Sequence, residues 1–122
     1  MPAYKINLKD RFGSLALIDV NAEAAAVRDE WVNQTLTTVN DAVVRLGVVE
    51  GEFHWHKHDA QDEFFYVVEG ELEIEVEGRD PFRLRPGQGV TIPRGVMHRP
   101  IAHTRTVILM VEPATVQPTG DY

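Results

Sequence analysis

Apolar and polar positions alternate most regularly in the second half of the chain. Residues 71–77 place three aliphatic side chains between glutamates, which predicts a strand with one face in the core and the other in water. The alternation resumes at 82–84 after a turn at 78–80, so these segments together predict a hairpin. Residues 64–68 are apolar at every position, which predicts a strand that is covered on both faces.

β-Branched residues crowd the region before residue 50. Residues 35–39 and 42–49 predict two strands, and Asn40-Asp41 between them has the turn chemistry of a hairpin. Residues 103–105 predict a turn before the last strand. The whole chain shows about eight or nine short strands at spacings of roughly 8 to 12 residues, which is typical of an all-β sandwich or barrel.

Helical signals are confined to the first third of the chain. Asn21 is a good N-cap and residues 22–28 have clear helical propensity, which predicts one short helix. Asn7 could cap a further helical turn over 8–12, and residues 14–20 could form a strand or an extended arm. We expect this part of the chain to pack on the outside of the domain or against a second subunit.

Length and composition fit a single globular domain. The chain has 122 residues, of which 43% are hydrophobic and 25% charged, and this balance argues against disorder. Its net charge of -7 gives no electrostatic reason to approach nucleic acid or an anionic membrane. The N-terminus lacks the apolar run of a secretory signal, and the longest apolar strand is too short to span a bilayer. We therefore expect a soluble, cytoplasmic protein with neither nucleic acid nor membrane as a partner.

Three histidines alternate with other residues in the stretch that follows Gly51. If this stretch is a strand, His54, His56 and His58 point to one face, whereas Phe53 and the intervening residues point to the other. Side chains two positions apart on a strand lie roughly 6 to 7 Å apart at Cα, so two imidazoles can reach one ion. The stretch therefore predicts imidazole side chains that converge.

Glu63 and His98 extend this cluster of candidate metal ligands. Glu63 follows His58 after a four-residue connection, and His98 lies in a second segment bounded by turn residues. The chain contains no cysteine, so any metal must be held by nitrogen and oxygen donors. Imidazole and carboxylate together suit one divalent transition metal ion such as zinc, iron, manganese or nickel. Asp62 is the alternative carboxylate, but strand alternation favours Glu63.

The spacing of these residues resembles the first sequence motif of the cupin superfamily. That motif runs from a glycine through His-x-His to a glutamate and a final glycine. Gly51 stands one residue closer to the first histidine than is usual in the family. The other positions of the motif are matched by His56, His58, Glu63 and Gly70.

A second cupin motif ends forty residues after His58. Ala102 stands where an asparagine often closes this motif. That asparagine is not a metal ligand, so its absence affects local strand hydrogen bonding rather than metal binding. The resemblance covers residues 40–112, with both motifs in the right order. The matched positions of the second motif are Gly87, Pro93, Gly95 and His98.

The resemblance to small single-domain bacterial cupins implies an all-β, cupin-type double-stranded β-helix, which is a jelly-roll barrel, here with a short N-terminal helical or extended arm. We expect one cupin domain over 1–122, with the arm and short helix at 1–33, the barrel at 34–112 and a surface tail at 113–122. Such proteins are often labelled mannose-6-phosphate isomerase-like, but the superfamily supports many reactions. The metal ligands that the resemblance implies are His56, His58, Glu63 and His98.

The cupin pattern does not require His54. Pairing His54 with His56 would leave six residues before Glu63, so we place His54 beside the metal rather than on it. It could serve as a general acid or base, or orient a metal-bound water. It could equally fill the barrel and bond a backbone carbonyl. His54 is the candidate catalytic residue.

Two classes of function remain open. The first is a metal-dependent enzyme acting on a small oxygenated organic molecule by dioxygenase-like or isomerase-like chemistry. The second is a non-catalytic module that binds a metal or a small ligand. Phe65 and Val67 share the inward parity of Glu63 and are expected to line an apolar pocket. Phe64, Tyr66 and Val68 have the opposite parity, and a homodimer would cover them.

Overall fold

The computed structural model describes residues 4–121, and strands account for most of them. The prediction of an all-β fold is confirmed. One short helix precedes the second strand, and none of the helical structure within 4–121 is long and apolar enough to cross a membrane. In chain order the elements are β1 (Tyr4–Asn7), α1 (Val20–Ala25), β2 (Trp31–Val39), β3 (Ala42–Glu52), β4 (Glu63–Glu69), β5 (Leu72–Val76), β6 (Arg79–Leu84), β7 (Gly89–Ile92) and β8 (His98–Pro113).

The long strand β8 links the two halves of the barrel. It pairs antiparallel with β3 along one edge, and with β5 and then β4 along the other. The remaining pairs are β1 with β2, β2 with β3, β4 with β7, and the hairpin of β5 with β6. The turn predicted at 103–105 is wrong, because these residues stay within β8, where the strand passes from its β5 partner to β4.

The alternating segments fill the barrel interior as their pattern predicts. Leu72 and Ile74 on β5 are fully buried, and their glutamate neighbours face outward. Phe65 and Val67 on β4 are also buried in this interior core, as expected from their parity with Glu63. Burial of such aliphatic and aromatic side chains supplies about 1.5–3 kcal/mol each, which is why the alternation fixes the strand register.

The N-terminal segment covers the outer face of the sheet, as expected, although its local structure differs from the prediction. Helix α1 begins after Asp19, whose Oδ1 accepts a hydrogen bond from the Ala22 amide, so Asn21 is not the N-cap. Asn7 ends strand β1, which runs parallel to β2, and no helical turn follows it. Residues 14–15 form a turn and residues 16–19 belong to no strand, so the strand considered over 14–20 is absent. A second apolar cluster lies beneath this segment and contains Ala24, Leu36, Leu46, Val48 and Val107.

The C-terminal tail does not lie along the surface as predicted. Val116, Pro118 and Gly120 are buried, in alternation with more exposed residues. The Val116 amide bonds the Pro113 carbonyl and the Gly120 amide bonds the Gln117 carbonyl, so two consecutive turns fold the tail back over the barrel mouth. The tail therefore forms part of the wall around the histidines.

Candidate metal centre

The histidine segment, residues 54–58, does not form the strand that the sequence predicts for it. Strand β3 ends at Glu52, and its register against β8 shifts between Val49 and Gly51. Gly51 has a φ of 111°, which turns the chain at this irregularity. The predicted alternation fails at Phe53, which belongs to the interior core, and the half-buried His54 ring stacks on it at 4.3 Å between centroids.

The four predicted ligands nevertheless meet in one place. His56 and His98 are joined by a pair of backbone hydrogen bonds of 3.0 and 2.9 Å, which bring the two motifs together. His58 lies two residues after His56 in the chain, and Glu63 is the first residue of β4. One ligand atom from each of the four residues lies within 4.8 Å of the others, and all four side chains are buried. This cluster could hold a metal ion.

Backbone carbonyls orient two of the imidazoles. His56 Nδ1 lies 3.0 Å from its neighbouring His54 carbonyl, and His98 Nδ1 lies 2.9 Å from the Val96 carbonyl. A carbonyl only accepts, so each Nδ1 carries the proton and donates it. The Nε2 atom of each ring is then the unprotonated nitrogen, which is the form that binds a metal.

The remaining contacts also fit a metal better than a hydrogen-bonded cluster. Glu63 Oε1 lies 3.4 Å from the Nε2 atoms of both His58 and His98, within ion-pair distance but longer than a normal hydrogen bond. Neither ring nitrogen of the buried His58 makes a hydrogen bond among the described residues. Such orphaned buried nitrogens are rare unless a group outside the chain occupies the site. Three imidazoles and one carboxylate suit zinc, iron, manganese or nickel.

Burial and neighbouring charge keep His56 neutral. Desolvation, followed by the nearby His98, lowers the pKa of His56 to about 4. At neutral pH the ring therefore carries no positive charge that would repel a cation. The same burial that disfavours the imidazolium form thus favours the ligand form.

A second carboxyl group and an arginine lie behind Glu63. Burial raises the pKa of Glu63, but the adjacent side chains of Glu112, His58 and His98 outweigh this and hold it below the usual range. Burial and contact with Glu63 raise the pKa of Glu112 to about 10. Glu63 is therefore the more acidic of the two carboxyl groups. Arg45 bonds Glu112, donates from Nε to Thr35 Oγ1 at 3.0 Å, and is itself buried.

His54 lies next to the cluster rather than in it, as we expected from the number of residues between the histidines and Glu63. Its Nε2 atom is 2.6 Å from the Thr119 carbonyl, so this nitrogen donates to the C-terminal tail. The ring centroid is 5.5 Å from that of His56. The backbone-carbonyl alternative considered from the sequence is therefore present, and the catalytic role of His54 stays a prediction.

The tail contacts the histidine segment in ways that the sequence does not predict. A Cβ atom at Gly120 would lie 2.5 Å from His56 Cβ, so only glycine allows the tail to approach this closely. The Asp121 amide donates to the Lys57 carbonyl at 2.9 Å, and Asp121 Oδ2 accepts from the Asp59 amide at 2.7 Å. These bonds hold the irregular histidine segment against the barrel mouth.

We expect Gly120→Ala to weaken metal binding about tenfold or more, the effect typical of losing a group that orients a ligand. The new methyl group would overlap His56 and displace its ring. Gly78→Ala is the matched control, because Gly78 has a similar φ, 84° against 97°, and open space around it. Competition with a chromogenic chelator measures both affinities, and equal values would show that the tail does not position His56.

A cavity opens beside the cluster. His56 and Glu63 contribute to its wall. Pro118 of the tail and the apolar side chains of β2, β4 and β8 form most of the rest. A small molecule in this cavity would therefore lie directly against the candidate metal ligands.

Comparisons with known proteins agree with this arrangement. The family model described as "Cupin domain" matches residues 42–112, which include all four candidate ligands. The chain is 41% identical over 91 residues to the uncharacterised protein YdbB of Bacillus subtilis, an alignment covering 75% of this chain and 80% of that protein.

Solved structures give the same result. A protein from Shewanella frigidimarina that contains a cupin-2 domain superposes with a TM-score of 0.75 at 35% identity, over 80% of this chain and 94% of that one. A Ralstonia eutropha protein provisionally described as a mannose-6-phosphate isomerase gives a TM-score of 0.69 at 24% identity, over 80% and 97% of the respective chains, which is evidence for the fold alone. The barrel, the two motifs and the matched family model together show that this chain belongs to the cupin family.

Proposed function

We propose that His56, His58, Glu63 and His98 bind one divalent transition metal ion, and that the protein is a metal-dependent enzyme acting on a small oxygenated organic molecule. The observation that carries the proposal is the convergence of four buried ligand atoms within 4.8 Å beside a cavity. Four protein ligands leave one or two positions open on a five- or six-coordinate ion.

The ion would supply Lewis-acid or oxygen-activating chemistry at an oxygen atom of the substrate. The chain's own residues prepare the site in two ways. The adjacent Glu112, paired with the buried Arg45, favours the ionised form of Glu63. The apolar cavity wall limits access of water, which strengthens every charge interaction inside.

We propose that His54 assists proton transfer in this reaction. Because its Nε2 donates to the Thr119 carbonyl, Nδ1 is the basic nitrogen of the neutral ring. The hydrogen bond to the tail fixes the tautomer, as the carbonyl partners of His56 and His98 do for those rings. His54→Gln is expected to keep the bound metal and to lower turnover.

The test combines metal content with activity. Elemental analysis of the purified protein should give about one ion per chain, and His98→Ala should lose it. Oxygen consumption by the iron-loaded protein is then followed with a panel of diols, thiols and keto acids, and isomerisation of hydroxy ketones is followed in parallel. A protein that holds one ion but turns over none of these would be a non-catalytic binding module instead.

We also propose that the protein forms a homodimer through the outer face of β4 and β8. Phe64 and Tyr66 are half-buried there with their rings 6.4 Å apart, and Val111 beside them is exposed. Val68, which the sequence assigns to the same interface, instead packs with the cluster under the N-terminal segment. Sedimentation equilibrium measures the solution mass, and a monomer at micromolar concentration would contradict the proposal.

A further inference from the structure

Asn33 presents a buried acceptor without a partner. It lies on β2 and is 7% exposed, and its Oδ1 atom makes no hydrogen bond among residues 4–121. Asn33 also lines the cavity into which His56 and Glu63 project. Leaving such an acceptor unsatisfied destabilises a folded protein, so a buried one at the wall of a cavity points to a bond made with the occupant.

The residue opposite Asn33 on the neighbouring strand contributes no side chain to the cavity wall. Register places Asn33 across from Gly47 on β3. A Cβ atom at Gly47 would lie 2.7 Å from Ile108 Cγ1 and 3.2 Å from Met110 Cε, two residues that line the same cavity. Glycine therefore allows β3 to pack directly against these side chains, and Asn33 remains as the polar group of this wall.

The other side chains of the cavity are almost entirely apolar. Its described lining contains no lysine or arginine and no hydroxyl side chain. A phosphate group would meet no lysine or arginine side chain there, and a sugar with several hydroxyl groups would leave most of them without protein partners. The largest apolar contributors to the wall are Trp31, Phe53, Phe65, Ile108 and Met110.

We propose that Asn33 is the substrate-recognition residue of this cavity, where its Oδ1 accepts a hydrogen bond from a small, largely apolar ligand. That ligand carries one oxygen group that binds the metal and, at a fixed distance from it, one hydroxyl or N–H donor for Asn33. The inference rests on the proposed metal site and narrows its substrate class to aromatic or alkyl molecules, excluding sugar phosphates.

The test uses hydroxamates as probes, because a hydroxamate binds a metal ion whether or not the enzyme reaction is known. Benzohydroxamate and its 2-, 3- and 4-hydroxy and methoxy derivatives are titrated into the zinc-loaded protein by calorimetry. One hydroxy isomer is expected to bind at least about fivefold more tightly than benzohydroxamate, and its methoxy counterpart should lose this gain. Mannose 6-phosphate should not compete with it.

Asn33→Leu isolates the contribution of the amide. The variant should bind benzohydroxamate at least as well as the wild type and should no longer distinguish the hydroxy isomer. Because it removes an unpaired buried acceptor, the free protein should also unfold at a higher temperature. Gln34→Leu is the matched control, since the neighbouring Gln34 amide donates to the Lys9 and Thr35 carbonyls. This control should lower the unfolding temperature and keep the preference for the hydroxy isomer.

The outcomes separate this inference from the proposed metal site. If benzohydroxamate binds the metal-loaded protein but no hydroxy isomer gains affinity, the role of Asn33 is wrong and the metal site stands. Competition by mannose 6-phosphate would likewise overturn the substrate class. A protein that holds no metal overturns both, whereas one that holds the metal but does not take up benzohydroxamate overturns the inference about Asn33 alone.

Discussion

Glu63→Gln is expected to reduce metal affinity by more than about 100-fold, because it replaces an ionised ligand with a neutral amide. Loss of a residue that only orients a ligand already weakens binding by about 10- to 100-fold, and Glu63 is itself a candidate ligand. The variant also removes the one carboxylate charge among the four candidate ligands, which would balance the cation. Elemental analysis after dialysis, followed by chelator competition, measures the loss.

Asp62→Asn provides the matched control for this substitution. Asp62 is the adjacent carboxylate that the sequence leaves as an alternative ligand, but its Oδ1 accepts from the Arg94 amide at 2.9 Å and the residue is exposed. The control should bind metal as tightly as the wild type. If Asp62→Asn lost the metal and Glu63→Gln retained it, the carboxylate ligand would be Asp62.

Arg45→Met is expected to destabilise the metal-free protein by about 3–5 kcal/mol, which is the typical effect of breaking a buried ion pair. Arg45 is 2% exposed and is the buried cation next to the carboxyl pair. Its removal would leave the shared negative charge of Glu63 and Glu112 uncompensated in the core. Its hydrogen bonds to the Thr35 hydroxyl and the Val116 carbonyl would also be lost.

Urea unfolding in the presence of a chelator measures this effect without a contribution from the metal. Arg83→Met is the control, because Arg83 pairs with Glu73 at 3.4 Å but is 70% exposed. That exposed pair should contribute less than about 1 kcal/mol. A similar small loss for Arg45→Met would indicate that water reaches the buried pair.

The resemblance to the two cupin motifs predicts which four residues meet, but not the path of the backbone between them. The ligands lie in two short segments, and the backbone pairing of His56 with His98 brings those segments together. The strand predicted over His54 to His58 fails because the register of β3 shifts before Gly51 and the strand ends at Glu52, which breaks the alternation at Phe53. A bulge of this kind depends on the partner strand, which a local pattern does not contain.

The groups around the ligands were not predicted for a related reason. Arg45 and Glu112 sit at polar positions within or beside apolar strand segments, where a charged residue ordinarily marks a solvated face. Their pairing joins residues 67 positions apart, and only the tertiary fold shows it. The tail resembles a surface segment because its proline and glycine residues are typical of turns, yet Gly120 is there because of its contact with His56.

The position of β8 also determines when the metal site can form during folding. The strand contributes His98 near its start and Glu112 near its end, and both reach Glu63, a residue 35 positions before His98. The ligand set is therefore complete only after β8 has paired with its neighbours, which requires closure of long chain segments and is slow. An ion that needs all four ligands binds after this step, so it should slow unfolding far more than it accelerates folding.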